Sequence, residues 1–303
     1  MSKPKVVVIC GPTASGKTAL SIELAKKING EIISSDSMQI YKDMDIGTAK
    51  PSKEEMQGIK HYMLDFVEPN KRYSVADFKK DAEKAIEDIL EKGKVPIVVG
   101  GTGLYVDSLI YGIEYQDIKF DEQYRKELEN RAEQEGLESL YNEAKQIDPQ
   151  AMEKISANDQ KRILRVLEIY KATGKNKTEQ EIESRKNGIK YDYKVFAINM
   201  DREKIYDRIN KRVDIMIDQG LIQEVQDLLG KYEEFPTAMQ GLGYKEVVEY
   251  LQGEISKEEM IDKIKMETRR YAKRQITWFK KNKQTMWIGP HDLQKILDEI
   301  HII

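Results

Sequence analysis

Apolar residues fall into two kinds of run along the chain. Val6-Val7-Val8-Ile9-Cys10 is short, mostly β-branched and closed by Gly11-Pro12, as expected of a strand buried on both faces. Lys17 to Lys27 follows with helical spacing, placing Leu20, Leu24 and Ile28 on one stripe. Glu31-Ile32-Ile33-Ser34 predicts a second strand ending at Ser35-Asp36, and Pro96-Ile97-Val98-Val99 a third running into Gly100-Gly101. Between them, Val75 to Leu90 predicts a helix with Phe78, Ala82, Ala85, Ile86 and Ile89 on its apolar side, closed by Gly93. Strands alternating with helices predict an α/β fold with a parallel sheet covered on both faces.

The pattern changes after Tyr111. From about Asp121 to Gly174 it is helical and charge-laced, with helices expected at Tyr124 to Glu135, Leu137 to Gln146 and Asp159 to Ala172. Tyr193 to Asn199 then resumes as a strand. A helical block between strand signals is most simply an insertion. It is placed at about 116–191, leaving 1–115 and 192–303 as the core. The remainder predicts helices at Arg202 to Gln219, Leu221 to Lys231, Tyr244 to Gln252 and Lys257 to Lys281.

Composition narrows the chemistry. The 303 residues include 1 Cys and 3 His, which removes an internal disulfide and argues against a Cys/His zinc site. No apolar run approaches the ~20 residues that span a bilayer, and no signal peptide is evident, so a cytoplasmic protein is expected. A monomer is expected. The net charge of −3 at first argues against a nucleic-acid partner.

Gly11-Pro12-Thr13-Ala14-Ser15-Gly16-Lys17-Thr18 fits G-x-x-x-x-G-K-[ST], after a buried strand and opening a helix. Such a loop turns backbone N–H groups and a helix N-terminus toward phosphate oxygens. Lys17 supplies a cation and Thr18 a hydroxyl for Mg²⁺. The loop implies a bound di- or triphosphate, ATP among others, without saying which bond breaks. Asp36 ends the second strand, where ligands of parallel sheets bind. It is suited to hold Mg²⁺, to act as a general base, or simply to cap the next turn. Gly100-Gly101-Thr102-Gly103 lets backbone and the Thr102 hydroxyl approach a ligand, or makes a tight turn. Trp278 and Trp287 are expected to pack, and Cys10 to be a buried, inert thiol.

The charge is unevenly spread. Residues 263–283 carry nine basic side chains (Lys263, Lys265, Arg269, Arg270, Lys273, Arg274, Lys280, Lys281, Lys283) against Glu267 alone, a net of +8, leaving −11 elsewhere. A solvated helix normally mixes signs, whereas a one-sign helix suits a phosphate backbone. Lys161-Arg162 with Arg165 forms a second cluster in the helical block.

Six motifs in order carry a resemblance: the phosphate loop, Asp36-Ser37-Met38-Gln39-Ile40-Tyr41, Asp45-Ile46-Gly47-Thr48-Ala49-Lys50-Pro51, Gly100-Gly101-Thr102-Gly103-Leu104-Tyr105, Gly241-Leu242-Gly243-Tyr244-Lys245-Glu246 and Ala272-Lys273-Arg274-Gln275-Ile276-Thr277-Trp278-Phe279. Over residues 6 to about 290 the chain resembles the bacterial tRNA dimethylallyltransferases. Ser156-Ala157-Asn158-Asp159 departs from a family in which His often precedes the Asn-Asp pair. The resemblance implies a P-loop NTPase-like sheet with an all-helical insertion that grips the anticodon stem. It implies transfer of a dimethylallyl group from its diphosphate to N6 of adenine 37 of tRNA, with Mg²⁺ at Thr18 and Asp36. Asp36 would take the amine proton, and Thr102 would bond near the oxygen joining allyl carbon to phosphate. Lys17 and Arg212, or secondarily Arg208, would hold the leaving diphosphate. Contacts to tRNA would come from Asp36, Ser37, Met38, Gln39, Thr102, Arg125, Lys161, Arg162, Arg165, Gly243, Tyr244, Arg269, Lys273 and Arg274. A small-molecule kinase explains the loop but not the basic helix, and a prenyltransferase acting on free AMP needs neither that helix nor the insertion.

Overall fold

Six parallel strands form one sheet in the order β3-β2-β4-β1-β5-β6. They are β1 (Lys5–Cys10), β2 (Gly30–Ser34), β3 (His61–Tyr62), β4 (Val95–Gly100), β5 (Asp192–Ile198) and β6 (Met286–Ile288). The computed structural model describes residues 3–115, 121–186 and 188–300. β1 lies between β4 and β5, with Val8 opposite Val98 on one side and Val195 on the other. Its residues Val6 to Cys10 are almost fully buried, as the unbroken apolar run requires.

One face of the sheet is covered by the helices Lys17–Lys27 and Leu293–Ile300, whose Leu20, Leu24, Ile296 and Ile300 pack on Val7, Ile9, Ile32 and Ile198. Val75–Glu91 buries the expected Phe78, Ala82, Ala85, Ile86 and Ile89, starting from a reciprocal capping box between Ser74 and Asp77. A second apolar core joins Ile40, Tyr41 and Met44 to the helices Leu221–Lys231, Tyr244–Leu251 and Lys257–Phe279. Because every strand is parallel, all six carboxyl ends open on one edge. Chain order along the sheet reverses direction at β1, so the loops after β1 and its neighbours define a crevice.

The chain divides into two compact units, Met1–Ile110 with Lys190–Ile303, and Tyr111–Ile189. The insertion expected from residue 116 begins in 116–120, outside the described residues. In the second unit the helices Glu122–Glu135, Leu137–Ile147 and Gln160–Thr173 pack around Leu128, Leu140, Ile163, Leu164 and Leu167. Asp148 caps the next short helix through the Ala151 N–H and also accepts from Thr178.

Candidate active site at the strand ends

The loop after β1 adopts the conformation its glycines permit. Gly16 caps the helix Lys17–Lys27 at φ +94, a region costly for other residues, and no side chain caps that terminus. The first N–H groups of the helix are therefore left for an anion. The Ser15 hydroxyl is fully buried without a hydrogen-bond partner, the kind of orphan a bound phosphate oxygen would satisfy. Thr18 is exposed at the start of the helix.

Cations crowd this loop. Lys17 Nζ donates to the Pro12 carbonyl at 2.7 Å. Arg208 and Arg212, one turn apart on the helix Arg202–Asp218, reach the Ala14 carbonyl and the Thr13 hydroxyl, each at 3.5 Å. Both arginines thus reach the loop. Burial, followed by the neighbouring Arg212 charge, lowers the Lys17 ammonium to about 8, while Asp36 opposes the shift. Burial and the Arg208 charge also lower Arg212, whose guanidinium nevertheless stays protonated. Three like charges held together in a half-buried loop call for a polyanion.

The Lys17 shift makes a pH prediction. The site needs the ammonium, and the free protein releases that proton above about pH 8. Affinity for an alkyl diphosphate should fall by up to about tenfold per pH unit above that point. The stability sign is opposite. A folded pKa below the unfolded value means that the unfolded chain binds more protons between about 8 and the usual lysine value. Lys17 thus contributes increasing stability as pH rises through that window. Calorimetric titration of wild type and Lys17→Met checks this, and a wild-type profile as flat as the variant's would contradict it.

Asp36 follows β2 and plays two parts. Its Oδ1 accepts the N–H groups of Met38 (2.9 Å) and Gln39 (3.3 Å), the turn-capping role expected as one alternative. Oδ2 is not used by those bonds. Burial raises its pKa, against the two N–H bonds and the Lys17 charge, which makes the carboxylate a better proton acceptor than an exposed aspartate. Thr102 follows β4. Its N–H donates to Ser35 O at 3.3 Å, and its hydroxyl oxygen accepts the Ser37 N–H at 3.1 Å. The ends of β2 and β4 are thereby laced together, and a Cβ at Gly100 would collide with Ser35. The ends of β1, β2 and β4 thus bring Lys17 into electrostatic contact with Asp36, and Thr102 into a hydrogen bond with Ser37 next to it.

Gln275 was not assigned a role from the sequence. Although nearly buried, its Oε1 accepts the Thr13 N–H (2.9 Å) and its Nε2 donates to Gly101 O (2.9 Å). One amide thus bridges the phosphate loop and the β4 loop. Glu224 was also missed. Its carboxylate accepts the N–H groups of Asp45, Ile46 and Gly47 and the Tyr244 hydroxyl. Trp278 packs against Gly103 and donates to Asp107 at 2.9 Å, in keeping with a packing role. Cys10 is buried, which pushes its thiol up and leaves it protonated.

Several residues expected to contact RNA make hydrogen bonds within the protein. Tyr244 is 1 % exposed and its hydroxyl is taken by Glu224, while the buried Gly243 gives its N–H to Glu246. This turn is core structure. The Gln39 amide bonds to the carbonyls of Thr48 and Ala49 and accepts from Ser34, so it is occupied internally. Arg125 spends two nitrogens on Glu129 and Glu168, as a strut inside the helical unit. Arg269 is half-buried and bonds to Asn210 at 2.6 Å. Met38 is half-buried against the second core, and Ser37 is committed through its N–H to Thr102.

The basic helix also differs from its one-sign appearance. Lys263 pairs with Glu249, Lys265 with Asp214 and Arg270 with Glu267. Two of these partners lie on other helices, where intrahelical spacing cannot reveal them. Lys273, Arg274, Lys280, Lys281 and Lys283 are exposed, so the free charge sits toward the carboxyl end. In the helical unit, Lys161, Arg162 and Arg165 are exposed on Gln160–Thr173.

A phosphate cradle at the centre of a parallel sheet, with a carboxylate and a hydroxyl beside it, defines a P-loop-like α/β protein built for chemistry on a phosphorylated ligand. The chain belongs to the IPP transferase family, whose pattern matches residues 39–282. It is 56% identical over 285 residues to the tRNA dimethylallyltransferase of Acetivibrio thermocellus, covering 94% of this chain and 91% of that one. It is 46% identical to that of Bacillus anthracis, covering 100% and 96%. Among solved structures it resembles the tRNA isopentenylpyrophosphate transferase of Bacillus halodurans, with TM-score 0.74, 42% identity and coverage of 98% and 96%. It also resembles a eukaryotic dimethylallyltransferase acting on tRNA, with TM-score 0.80, 33% identity and coverage of 97% and 76%.

Proposed function

We propose that this protein transfers a dimethylallyl group from dimethylallyl diphosphate to N6 of adenine 37 in tRNA, releasing diphosphate. The observation that carries this reading is the convergence of Asp36 and Thr102 on a loop that three cations prepare for a diphosphate. The N6 lone pair forms a bond to the first allyl carbon as the carbon–oxygen bond to diphosphate breaks. The bonding pair leaves on the diphosphate oxygen, and the amine proton goes to Asp36. An aryl amine is a weak nucleophile, so the protein works chiefly on the leaving group, through Lys17, Arg208, Arg212 and the helix N-terminus. Alignment of amine and allyl carbon supplies the rest.

Among the described residues no three His, Cys, Asp or Glu side chains group to hold a metal ion. The exposed Thr18 hydroxyl and the Asp36 carboxylate suit Mg²⁺ that keeps several waters and shares phosphate oxygens. When bound, Mg²⁺ adds positive charge against the departing diphosphate.

The acceptor is a tRNA because the exposed cations of the core helix, Lys273 and Arg274, and of the helical unit, Lys161, Arg162 and Arg165, offer two sets of phosphate contacts. Adenine must leave its stack to reach the crevice. Among the described residues no helix is long and apolar enough to cross a membrane. Reversing charge at Lys273 and Arg274 should weaken tRNA binding and reduce its salt slope by about 1 to 2. An unchanged slope in a salt-dependent binding series would remove this helix from the RNA surface. Comparing turnover on AMP with turnover on an anticodon stem-loop tests the acceptor: strong preference for the stem-loop is expected, and equal turnover would contradict it.

A further inference from the structure

The proposed reaction needs the diphosphate and the Thr102 hydroxyl at a fixed separation, yet loops after two different strands carry them. Gln275 joins those loops. It lies on the helix Lys257–Phe279, directly after the exposed Lys273 and Arg274, and is itself only 5 % exposed. Its Oε1 accepts the Thr13 N–H at 2.9 Å, and its Nε2 donates to Gly101 O at 2.9 Å. Acceptor and donor belong to one planar amide, so neither loop shifts without breaking a buried bond.

Each end of this bridge is fixed a second time. On the phosphate loop, the Thr13 hydroxyl is reached by Arg212 and the next carbonyl, Ala14 O, by Arg208. On the β4 side, Gln275 holds the carbonyl of the Gly101–Thr102 peptide, while the N–H of that same peptide donates to Ser35 O at 3.3 Å. A planar unit held at both its C=O and its N–H has its orientation set, and with it the start of the Thr102 side chain. The Thr102 hydroxyl then accepts the Ser37 N–H at 3.1 Å. The approach is close enough that a Cβ at Gly101 would run into Gln275 Nε2.

We propose that Gln275 is a positioning residue: by holding the Thr13 N–H and the Gly101 carbonyl in one amide, it sets the separation between the diphosphate on the phosphate loop and the Thr102 hydroxyl. The inference rests on the reading that Thr102 bonds to the oxygen joining allyl carbon to diphosphate. Gln275 touches neither substrate in this account. Its effect falls on rate rather than on affinity, because Lys17, Arg208, Arg212 and the helix N-terminus still hold the diphosphate when the spacer is lost. A donor displaced by about 1 Å from the developing charge costs up to about a hundredfold in rate.

The test measures single-turnover transfer at saturating labelled dimethylallyl diphosphate and unmodified anticodon stem-loop, alongside Kd for inorganic diphosphate. Gln275→Met keeps the length of the side chain and removes both polar atoms. Its transfer rate should fall about tenfold to a hundredfold, whereas Kd for diphosphate and for stem-loop stays within about threefold of wild type. Gln275→Met combined with Thr102→Ala should transfer within about threefold of Thr102→Ala alone, because Gln275 acts through Thr102. Gly101→Ala reaches the same bridge from its other side. Gly101 is not in the left-handed region, so alanine suits its backbone, and the added methyl displaces the amide from the Gly101 carbonyl. It should reproduce the rate loss with diphosphate binding retained, and it carries the test if Gln275→Met does not fold. A wild-type rate in either variant, a loss of diphosphate affinity equal to the loss of rate, or losses that multiply in the double variant would overturn the proposal. If wild type itself moves no label into RNA, the transferase reading fails and the proposal with it.

Discussion

Asp36→Asn lowers single-turnover transfer by about a hundredfold to ten-thousandfold and leaves tRNA affinity nearly unchanged, if Asp36 accepts the amine proton. The asparagine is the informative variant. Its side-chain oxygen can still accept the Met38 and Gln39 N–H groups, so the turn is kept while the base is lost. Asp36→Ala abolishes transfer too, but also uncaps the turn. A raised carboxyl pKa supports the assignment, since burial leaves the proton affinity higher than that of an exposed aspartate. Activity should accordingly fall as pH drops through the Asp36 pKa and the carboxyl takes up a proton. Asparagine with normal single-turnover chemistry but weakened tRNA binding would move Asp36 from catalysis to recognition.

Thr102→Ala is expected to slow transfer about tenfold to a thousandfold, in line with removal of a single preorganised donor. The variant also deprives the Ser37 N–H of its acceptor and loosens the lacing between the β2 and β4 ends. Thr102→Ser restores the hydroxyl and the acceptor together, and so shows whether the loss in Ala comes from the hydroxyl or from the methyl group. Rates near wild type in Ser and depressed rates in Ala support a hydroxyl role. Unchanged turnover in Ala would refute it.

The sheet was legible because its central strands are buried on both faces and so read as unbroken apolar runs: Val6 to Cys10, Ile32-Ile33 and Ile97 to Val99. Both edge strands, His61–Tyr62 and Met286–Ile288, went unread, since two or three residues cannot establish a period. The phosphate loop, Asp36 and Thr102 were legible because each follows a strand end, where parallel sheets place their ligands. Gln275 and Glu224 were not. Each acts by bonding to backbone groups distant in the chain, and nothing in local spacing marks such a partner. The Gly241–Glu246 motif entered as a tRNA contact through the family resemblance alone; in the structure the Tyr244 hydroxyl and ring pin the Asp45–Gly47 segment through Glu224 and Gly47, a role that local spacing does not mark. Helix charge misled in part for the same reason, because Glu249 and Asp214 neutralise Lys263 and Lys265 from neighbouring helices.

The central claim is that the phosphate loop holds a leaving group and that the allyl carbon passes to RNA. One measurement addresses it directly: incubation of the protein with Mg²⁺, unmodified tRNA and dimethylallyl diphosphate labelled in the allyl group, followed by recovery and nucleoside digestion of the RNA. The account predicts label in a single N6-alkylated adenosine from position 37, with one diphosphate released per label incorporated. Diphosphate release without label in RNA, or phosphoryl transfer from ATP in its place, would contradict it.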